Sequence, residues 1–487
     1  MKVTVYYGNE STIYEEAGVC TATELLRRHG FPIDSPCGGR GSCGKCKIKT
    51  FGRLSPPSQA EKKLLSEKEL EEGVRLACRC FLLGDCTLML QPAEIRAGAE
   101  APAEPAAPLG LALDIGTTTI AGAFYELSTK QKLSEFTVLN RQRAFGHDVI
   151  SRIQFTMEAP QNRAVLQKIL VKQINEQIGS RLVEQCVLCG NTAMMHFLFG
   201  LDASSLASYP HTPRCFFGES FSGRDIGLNA GAGYAFPCIS GFVGGDTAAG
   251  LLALELAGTK KPYLLIDIGT NGEIALHTGK EILCCSCAAG PAFEGAHISS
   301  GCGAVEGAVW GVRRENGRMS FSTIGDAPAC GVCGSGLIDW IACLLEEGLL
   351  EENGYLEKPV RLGDSAVYLE PQDVREIQLA KAAMAAGVDT LLQKAALTPE
   401  EIATAALAGS FGEHLNPASA CRIGLIPKGL EEKLVSAGNT ALCGAKRVLL
   451  QGYNQEMALL LETIRYIELE SDPVFNEAFV ERLTFPS

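Results

Sequence analysis

The stretch LALDIGTTT, residues 111–119, joins an apolar strand to a turn of glycine and threonine through one acidic residue, Asp114. The same order of residue types returns in LLIDIGTNGE, residues 264–273, where Asp267 takes the place of Asp114. An apolar run that stops at a Gly-rich turn and then resumes predicts a β-hairpin. Because this unit occurs twice, the sequence predicts two similar lobes in the second part of the chain.

Both hairpin turns have the composition of a phosphate-binding site. Glycine permits a tight turn, and the backbone N–H groups of Gly116 to Thr119, together with the hydroxyls, can hold phosphate oxygens. The two aspartates suit Mg²⁺, directly or through water, because Mg²⁺ prefers few carboxylates plus water and phosphate. A single loop of this kind is weak evidence, but a matched pair is strong. The candidate binding residues are Asp114, Gly116, Thr117, Thr118, Thr119, Asp267, Gly269, Thr270 and Asn271.

A second motif near the amino terminus, CGGRGSCGKC (residues 37–46), carries Cys37, Cys43 and Cys46 among four glycines, and Cys78 follows in RLACRC. Iron–sulfur clusters require convergent thiolates, and glycines allow a loop to wrap around them with positive φ. We therefore predict that these four cysteines hold a cluster. A zinc site or buried structural cysteines are the alternatives, and Cys80 is the rival fourth ligand.

The bulk composition limits the classes of function. At 487 residues the chain should form two to four domains. A net charge of −13 argues against a nucleic-acid or anionic-membrane surface. The first residues, MKVTVYYGNE, lack the apolar core of a signal peptide, and no long apolar span appears, so we expect a cytoplasmic protein. The 20 cysteines should then be reduced, and most should be buried.

Changes in amino-acid composition and in the pattern of apolar residues predict the domain boundaries. Residues 1–94 read as a small α/β unit, with a hairpin around Gly8-Asn9 and helices that start at the capping boxes Thr21-x-x-Glu24 and Ser58-x-x-Glu61. Residues 95–108 are rich in Ala, Pro and Glu and should form a linker that tethers the first domain. Residues 109–487 should form lobes at about 109–260 and 261–435, followed by C-terminal helices at 436–487.

One further acid stands out in FVGGDTAAGLLALELAG, where Asp246 follows a Gly-Gly turn at the start of a predicted helix. It could orient an attacking water molecule, or it could simply be the helix N-cap. Glu294 in AAGPAFEGAHISSG is expected near the same cleft.

Three resemblances to known families extend this interpretation. The spacing C-x5-C-x2-C with the later RLACR resembles the vertebrate-type and putidaredoxin-like two-iron ferredoxins, which implies a β-grasp domain over residues 1–94 that holds a 2Fe–2S cluster. The paired Asp-Ile-Gly-Thr loops resemble the phosphate motifs of the actin, Hsp70 and sugar-kinase ATPases. AALAGSFGEHL, residues 405–415, resembles their adenosine motif at Gly409 and Ser410. This implies two RNase H-like lobes that close on ATP, with Asp246 matching the segment that supplies a base in sugar kinases.

The combination of both halves, with NRQRAFGHDVISRI and AAGPAFEGAHIS, resembles the reductive activators of corrinoid proteins. That resemblance implies an ATPase of anaerobes that returns cobalt(II) to cobalt(I) in methyl-transfer systems such as O-demethylases or methylamine pathways. It also implies a separate corrinoid protein partner, a low-potential electron donor and a possible homodimer. An electron injector for a radical dehydratase and a non-catalytic redox sensor are the alternatives. Some relatives insert a small domain after the linker, whereas here Pro108 leads directly into the first ATPase strand.

Overall fold

The chain folds as two compact units, Met1–Ala235 and Phe236–Ser487. The computed structural model describes residues 1–7, 10–29, 31, 33, 39, 41, 44–90, 108–146, 148–254, 259–269, 271–315, 318–412 and 414–486. Within these ranges no helix is long and apolar enough to cross a membrane. Of the predicted linker, residues 95–108, only Pro108 lies within the described ranges.

The first sheet of unit 1 is a β-grasp sheet. Its first strand pairs with the second as an antiparallel hairpin and lies parallel to the last strand. Buried Val3 and Val5 alternate with more exposed neighbours, so one face of this strand lies in the core. The strand order is β2-β1-β6-β4-β5, and the short β3 pairs with β6. The elements are β1 (Lys2–Tyr7), β2 (Glu10–Glu15), β3 (Cys20–Thr21), α1 (Ala22–Arg28), β4 (Lys47–Leu54), α2 (Gln59–Leu64), α3 (Glu67–Glu71), β5 (Val74–Leu76) and β6 (Phe81–Leu90).

Both predicted capping boxes of this sheet's helices are confirmed. Thr21 and Glu24 exchange side-chain and backbone hydrogen bonds at the start of α1, and Ser58 and Glu61 do the same at the start of α2. Glu61 also receives two hydrogen bonds from the guanidinium of Arg75, at 2.8 and 3.0 Å. This fully buried carboxylate thus starts a helix and at the same time ties it to β5.

The second sheet of unit 1 has the topology predicted for an RNase H-like lobe. Three antiparallel strands are followed by β10 and β12, which run parallel to the first of them, in the order β11-β12-β10-β7-β8-β9. A 3₁₀ turn, Arg141–Phe145, follows the meander. The elements are β7 (Leu109–Ile115), β8 (Thr119–Glu126), β9 (Lys132–Leu139), α4 (Val149–Glu158), α5 (Asn162–Ile178), β10 (Val183–Gly190), α6 (Thr192–Leu198), β11 (Ser220–Ser222) and β12 (Ala230–Ala235).

Unit 2 repeats the same topology, with a sheet ordered β22-β21-β13-β14-β15-β23. The duplicated core explains why the sequence repeats itself, and it confirms the predicted pair of RNase H-like sheets. The elements are α7 (Gly245–Ala253), β13 (Tyr263–Ile268), β14 (Gly272–His277), β15 (Ile282–Cys287), β16 (Ala308–Glu315), β17 (Arg318–Thr323), β18 (Gly331–Val332), α8 (Gly334–Glu346), β19 (Val360–Arg361), β20 (Tyr368–Leu369), α9 (Pro371–Ala395), β21 (Thr404–Ala408), α10 (Gly409–Gly412), α11 (Pro417–Arg422), β22 (Leu434–Gly438), α12 (Thr440–Gln451), α13 (Gln455–Glu462), β23 (Ile464–Tyr466) and α14 (Pro473–Glu481).

Helices α7 and α12 of unit 2 pack against each other almost backbone to backbone. A Cβ atom on Gly444 would overlap the carbonyl oxygen of Ala249, and one on Gly250 would lie 2.9 Å from the Thr440 hydroxyl. The guanidinium of Arg447 in α12 donates to the carbonyl of Leu252 near the end of α7, at 2.6 Å. Glycine is therefore required at Gly444, where the obstacle is backbone, and favoured at Gly250, where the obstacle is a side-chain hydroxyl.

Glu61→Gln should destabilise the first domain by about 3 kcal/mol, because it leaves the Arg75 guanidinium buried without its counter-charge. Although burial opposes it, hydrogen bonds from Arg75 and Ser58 hold the pKa of the Glu61 carboxyl below its usual value. This stabilisation is consequently present at neutral pH and lost as the pH falls through that pKa. Urea unfolding of the full-length protein, followed by far-ultraviolet circular dichroism, measures the change.

The matched control is Glu69→Gln. Glu69 also completes a capping box and pairs with a lysine, Lys47, but both side chains are substantially exposed. We expect a loss of about 1 kcal/mol or less for this variant. Equal losses for Glu61→Gln and Glu69→Gln would contradict the importance of the buried pair.

Candidate functional site

The structure brings two of the four predicted cluster cysteines together. Cys46 immediately precedes β4 and Cys78 follows β5; their Sγ atoms are 3.3 Å apart and both residues are buried. The backbone N–H of Ala77 donates to the carbonyl of Cys46 at 2.9 Å, which fixes the two segments side by side. Cys37 and Cys43 lie outside the described residues.

The glycines around these cysteines have the backbone geometry that the sequence predicted. Gly39, Gly41 and Gly44 all have positive φ values, of 89°, 73° and 67°. A Cβ atom on Gly39 would lie 3.8 Å from the Cβ of Cys78, so the loop passes close to the cysteine pair. Two adjacent thiols, Cys46 at the end of the glycine-rich loop and Cys78 beside it, fit the ligation of one iron atom of a cluster.

Cys80 has a different environment from Cys78. It is fully buried, and burial raises the pKa of its thiol to about 11. Its charged neighbours are Arg75 and Glu61, on the side of the sheet that carries the buried ion pair. A neutral thiol in this position acts as a small core side chain, which favours Cys78 over Cys80 as the fourth ligand.

The first Asp-Ile-Gly-Thr turn connects β7 and β8. The N–H of Gly116 donates to the carbonyl of Thr119 at 2.9 Å, and a Cβ atom on Gly116 would lie 2.8 Å from that oxygen. The tight turn is therefore confirmed. The expectation that the Gly116 N–H itself faces a phosphate is wrong, because that group closes the turn.

The remaining N–H groups of this turn are oriented by two residues that the sequence analysis did not single out, Asn140 and Arg152. The Asn140 side chain donates to the carbonyl of Gly116, its backbone N–H donates to that of Thr118, and the Arg152 guanidinium donates to that of Thr117. In a trans peptide the C=O and N–H groups point in opposite directions. The N–H groups of Thr117, Thr118 and Thr119 therefore point away from Asn140 and Arg152, towards the face where a phosphate would bind.

The second turn lies between β13 and β14 and adjoins the predicted adenosine segment. The N–H of Gly269 donates to the carbonyl of Asn271 at 3.1 Å. Asp267 lies beside the end of β21, and a Cβ atom on Gly409 would be 3.1 Å from its Oδ1. The structure thus brings Asp267 and Gly409 together. Thr270 and the side chain of Ser410 lie outside the described residues.

Two glutamates join this second turn. Glu273 is the direct cross-strand partner of Asp267, and the Oε1 of Glu294 would lie 3.8 Å from a Cβ atom on Gly269. The sequence predicts Glu294 near the cleft, whereas Glu273 was not among the predicted residues. The sequence did contain a signal for Glu273. It lies two residues after Asn271, and in a hairpin with this turn that position is directly opposite Asp267.

Asp246 lies in the first turn of α7 but is not its N-cap, since Gly244 occupies that position. Its Oδ1 accepts a hydrogen bond from the N–H of Thr247 at 2.8 Å. The N-cap interpretation of this residue is therefore wrong. Its carboxylate is available for another role at the start of the helix, where the helix dipole favours negative charge.

Asp246, Asp267 and Glu273 form an electrostatically coupled group of carboxylates in unit 2. Burial raises the pKa of Asp246 to about 6, and burial followed by repulsion from Asp246 raises that of Asp267 to about 6. Burial and then repulsion from both aspartates raise the pKa of Glu273 well above its usual value. All three side chains keep partial access to solvent.

Such a group can attract a divalent cation, which would relieve the repulsion. In the described parts of the chain, however, no three His, Cys, Asp or Glu side chains are placed to ligate one metal ion directly. This arrangement suits an ion such as Mg²⁺, which keeps several of its water ligands and takes further oxygens from a bound phosphate.

A β-grasp sheet with adjacent cysteines and a duplicated RNase H-like core with phosphate turns define an iron–sulfur protein with a nucleotide-binding domain. Family models match accordingly: a 2Fe-2S iron-sulfur cluster binding domain at residues 5–83, the RACo middle region at residues 109–259, and the C-terminal domain of RACo, the ASKHA domain, at residues 261–487. The models thus assign a two-iron cluster domain and an ATPase-type domain to one chain.

Relatives identify the family. The corrinoid activation enzyme RamQ of Eubacterium limosum is 33% identical over 417 residues, which cover 77% of this chain and 70% of that protein. The Co(II) methylated amine-specific corrinoid protein reductase of Methanosarcina barkeri is 25% identical over 416 residues, 77% of each chain. A solved structure titled reductive activator for corrinoid, iron-sulfur protein is 26% identical and superposes with a TM-score of 0.69, covering 99% of this chain and 98% of that one. The chain belongs to this family of reductive activators of corrinoid proteins.

Asp267→Asn should stabilise the ligand-free protein at pH 7.5 by roughly 1–2 kcal/mol, because it removes a charge that is repelled and partly desolvated in the folded state. Since the pKa of Asp267 is raised on folding from 3.8 to about 6, its destabilising effect is fully present above pH 6 and disappears below pH 3.8. The gain should therefore shrink when thermal unfolding is measured at pH 5.

The control for this variant is Asp364→Asn, which alters an exposed aspartate in the same unit. It should change the melting temperature little at either pH. A destabilising effect of Asp267→Asn at pH 7.5, or a gain that does not depend on pH, would show that Asp267 does not carry the proposed repulsion.

Proposed function

We propose that this protein is an ATP-dependent reductase that passes one electron from a two-iron cluster to the cobalt(II) of a corrinoid protein and so regenerates cobalt(I) for methyl transfer. The observation that carries the proposal is the union of a cluster-binding β-grasp domain and an ASKHA domain in one chain that aligns with RamQ over most of its length. The proposed modules are residues 1–94, a linker at 95–108 and the ATPase at 109–487.

In this scheme the nucleotide supplies the free energy for an unfavourable electron transfer. A two-iron centre of the plant type lies near roughly −400 mV. If the cobalt acceptor lies about 100 mV lower, transfer of one electron costs about 2.3 kcal/mol. A ligand that binds one conformational state more tightly than another can supply an energy of this size. ATP would therefore drive an electron to an acceptor that it would not otherwise reach.

Each part of the site has a role in the proposal. The cluster, when bound, supplies one-electron chemistry. The N–H groups of the two turns hold the phosphates of ATP, while Asp114 and Asp267 bind Mg²⁺ through water. Asp246 orients the water that attacks the terminal phosphate, and Gly409 with Ser410 contacts the adenosine. The proposed cluster ligands are Cys37, Cys43, Cys46 and Cys78.

The partners follow from the same scheme. The protein would accept electrons from a low-potential donor and deliver them to a separate corrinoid protein of a methyltransferase system. Relatives whose names specify corrinoid proteins support the second partner.

The test of this function is the reduction of a cobalt(II) corrinoid protein by the reconstituted enzyme and a chemical reductant under anaerobic conditions. The cobalt(I) absorption spectrum should develop with Mg-ATP and should not develop without nucleotide. Equal rates with and without ATP would exclude the coupling.

Asp246→Asn separates nucleotide binding from hydrolysis in the same assay. We expect it to bind ATP but to hydrolyse it about 100-fold more slowly, because the attacking water loses its acceptor. Asp364→Asn, remote from the turns in sequence and exposed, should match the wild type. A fully active Asp246→Asn variant would remove Asp246 from the site.

Cys78→Ser should abolish the native electron paramagnetic resonance (EPR) signal of the reduced cluster, because the thiol beside Cys46 is lost. Cys80→Ser is the matched control: it changes the same atom two residues away and should leave the signal intact while lowering stability slightly. If the signal survives in Cys78→Ser and disappears in Cys80→Ser, Cys80 is the fourth ligand.

A further inference from the structure

Within unit 1, the β-grasp domain packs on the segment that follows the β7–β9 meander. Helix α1 contacts the 3₁₀ turn Arg141–Phe145, and the buried apolar residues of both sheets belong to one continuous cluster. Tyr7 of β1 also lies at this contact: its hydroxyl has a pKa raised by burial, an effect that the nearby Arg141 partly offsets. The two domains therefore share an interface that includes charged side chains.

Arg27 lies on α1, which is bound to the segment that carries Cys78: the N–H groups of Ala22 and Thr23 donate to the carbonyls of Cys80 and Ala77, at 2.8 and 3.1 Å. The Nε atom of Arg27 is buried and makes no hydrogen bond to any described residue. Burial lowers its pKa, and the acidic groups that counter this effect are, in decreasing order, Cys78, Glu158, Cys46 and Glu24. The charge of Arg27 is therefore within electrostatic range of Cys46 and Cys78, the proposed cluster ligands, and of Glu158, the last residue of α4.

The same segment also holds the first phosphate turn. Asn140 immediately precedes the 3₁₀ turn and binds the carbonyls of Gly116 and Thr118. Arg152 of α4 binds the carbonyl of Thr117 and that of Gly146, just beyond the 3₁₀ turn. Residues 140–146 and 148–158 therefore contact the phosphate turn through Asn140 and Arg152, and they reach the surroundings of Arg27 through the 3₁₀ turn and Glu158.

We propose that Arg27 sets the reduction potential of the cluster and that residues 140–146 and 148–158 make this potential sensitive to nucleotide at the first phosphate turn. The proposal rests on the proposed function, because it assumes a cluster at the cysteines. One electron taken from a chemical reductant makes the site more negative by one charge, with no bond formed or broken, and a nearby guanidinium stabilises that state.

Reciprocity follows from linkage between the two equilibria. If bound nucleotide changes the ratio of reduced to oxidised protein by some factor, reduction must change the affinity for nucleotide by the same factor. Arg27 is a tuning residue in this scheme and not a catalytic one, because it acts through the cysteines and through Glu158.

The experiment is a potentiometric titration of the reconstituted full-length protein with dithionite and mediators, followed by EPR, with no corrinoid protein present. Arg27→Gln should lower the ratio of reduced to oxidised cluster at a given potential about tenfold, which corresponds to about 59 mV. Glu158→Gln should shift the ratio in the opposite direction, because it removes the negative charge that competes for Arg27. A merely structural role would not produce opposite signs.

Two further variants test whether the effect is specific to the charge at position 27. Arg28→Gln removes the same charge from the next residue of α1, where the side chain pairs with Glu16 and is exposed, and it should leave the potential unchanged. Arg27→Lys keeps the charge and should restore most of the wild-type potential. Identical potentials for Arg27→Gln and Arg28→Gln would overturn the proposal.

The nucleotide arm repeats the titration with a non-hydrolysable ATP analogue and Mg²⁺. The wild-type potential should shift when the analogue binds, and Arg27→Gln should lose that shift while still binding the analogue in a calorimetric assay. A wild-type potential that ignores bound analogue would overturn the linkage to the phosphate turn. Absence of any two-iron EPR signal from the wild type would instead contradict the proposed function.

Discussion

The turn between β7 and β8, where we propose that phosphate binds, depends on the direction of three peptide groups. Several backbone N–H groups can bind one phosphate only if they all point to the same side of the turn. The conformation of a short turn does not by itself impose that arrangement. Here Asn140 and Arg152 bind the carbonyl oxygens of Gly116, Thr117 and Thr118 from behind. The turn is thereby pre-organised, so a ligand need not supply the energy of ordering it.

The second turn, between β13 and β14, differs from the first because its carboxylates repel one another. Burial raises the pKa values of Asp246, Asp267 and Glu273, and repulsion from Asp246 raises those of Asp267 and Glu273 further. Unpaired charges in such surroundings destabilise the fold, and they are retained where function uses them. A cation and a polyphosphate would convert this repulsion into binding energy, which makes the unliganded protein the less stable form.

Local features of the fold were predictable from the sequence. The pairing of β1 with β2, both capping boxes and the two Asp-Ile-Gly-Thr hairpins follow from residues close together in the chain, and each is found where the pattern placed it. The duplicated motif also indicated the duplicated sheet, because strand–turn–strand periodicity survives in both copies.

The remaining parts of the site depend on tertiary packing. Asn140 and Arg152 reach the turn only because the chain after β9 folds back over it, which no local pattern encodes. Cys78 and Cys80 are two residues apart, and the choice between them rests on how the turn after β5 directs each thiol: towards Cys46 for the first and into the core for the second. The alternation that places Glu273 opposite Asp267 is visible in the sequence, but its raised pKa arises from burial and from the aspartates that folding brings beside it.

The close contact of α7 and α12 limits how the enzyme can move and how it can vary. Because Gly444 and Gly250 place no side chain between the two helices, α7 and α12 cannot slide or rotate past each other. They therefore move as one rigid unit, with Asp246 in the first turn of α7. Any opening of the site must then occur through the loops that precede and follow these two helices. Across diverged homologues, sequence drift should be slowest at the two glycines and fastest on the outward faces of the same helices.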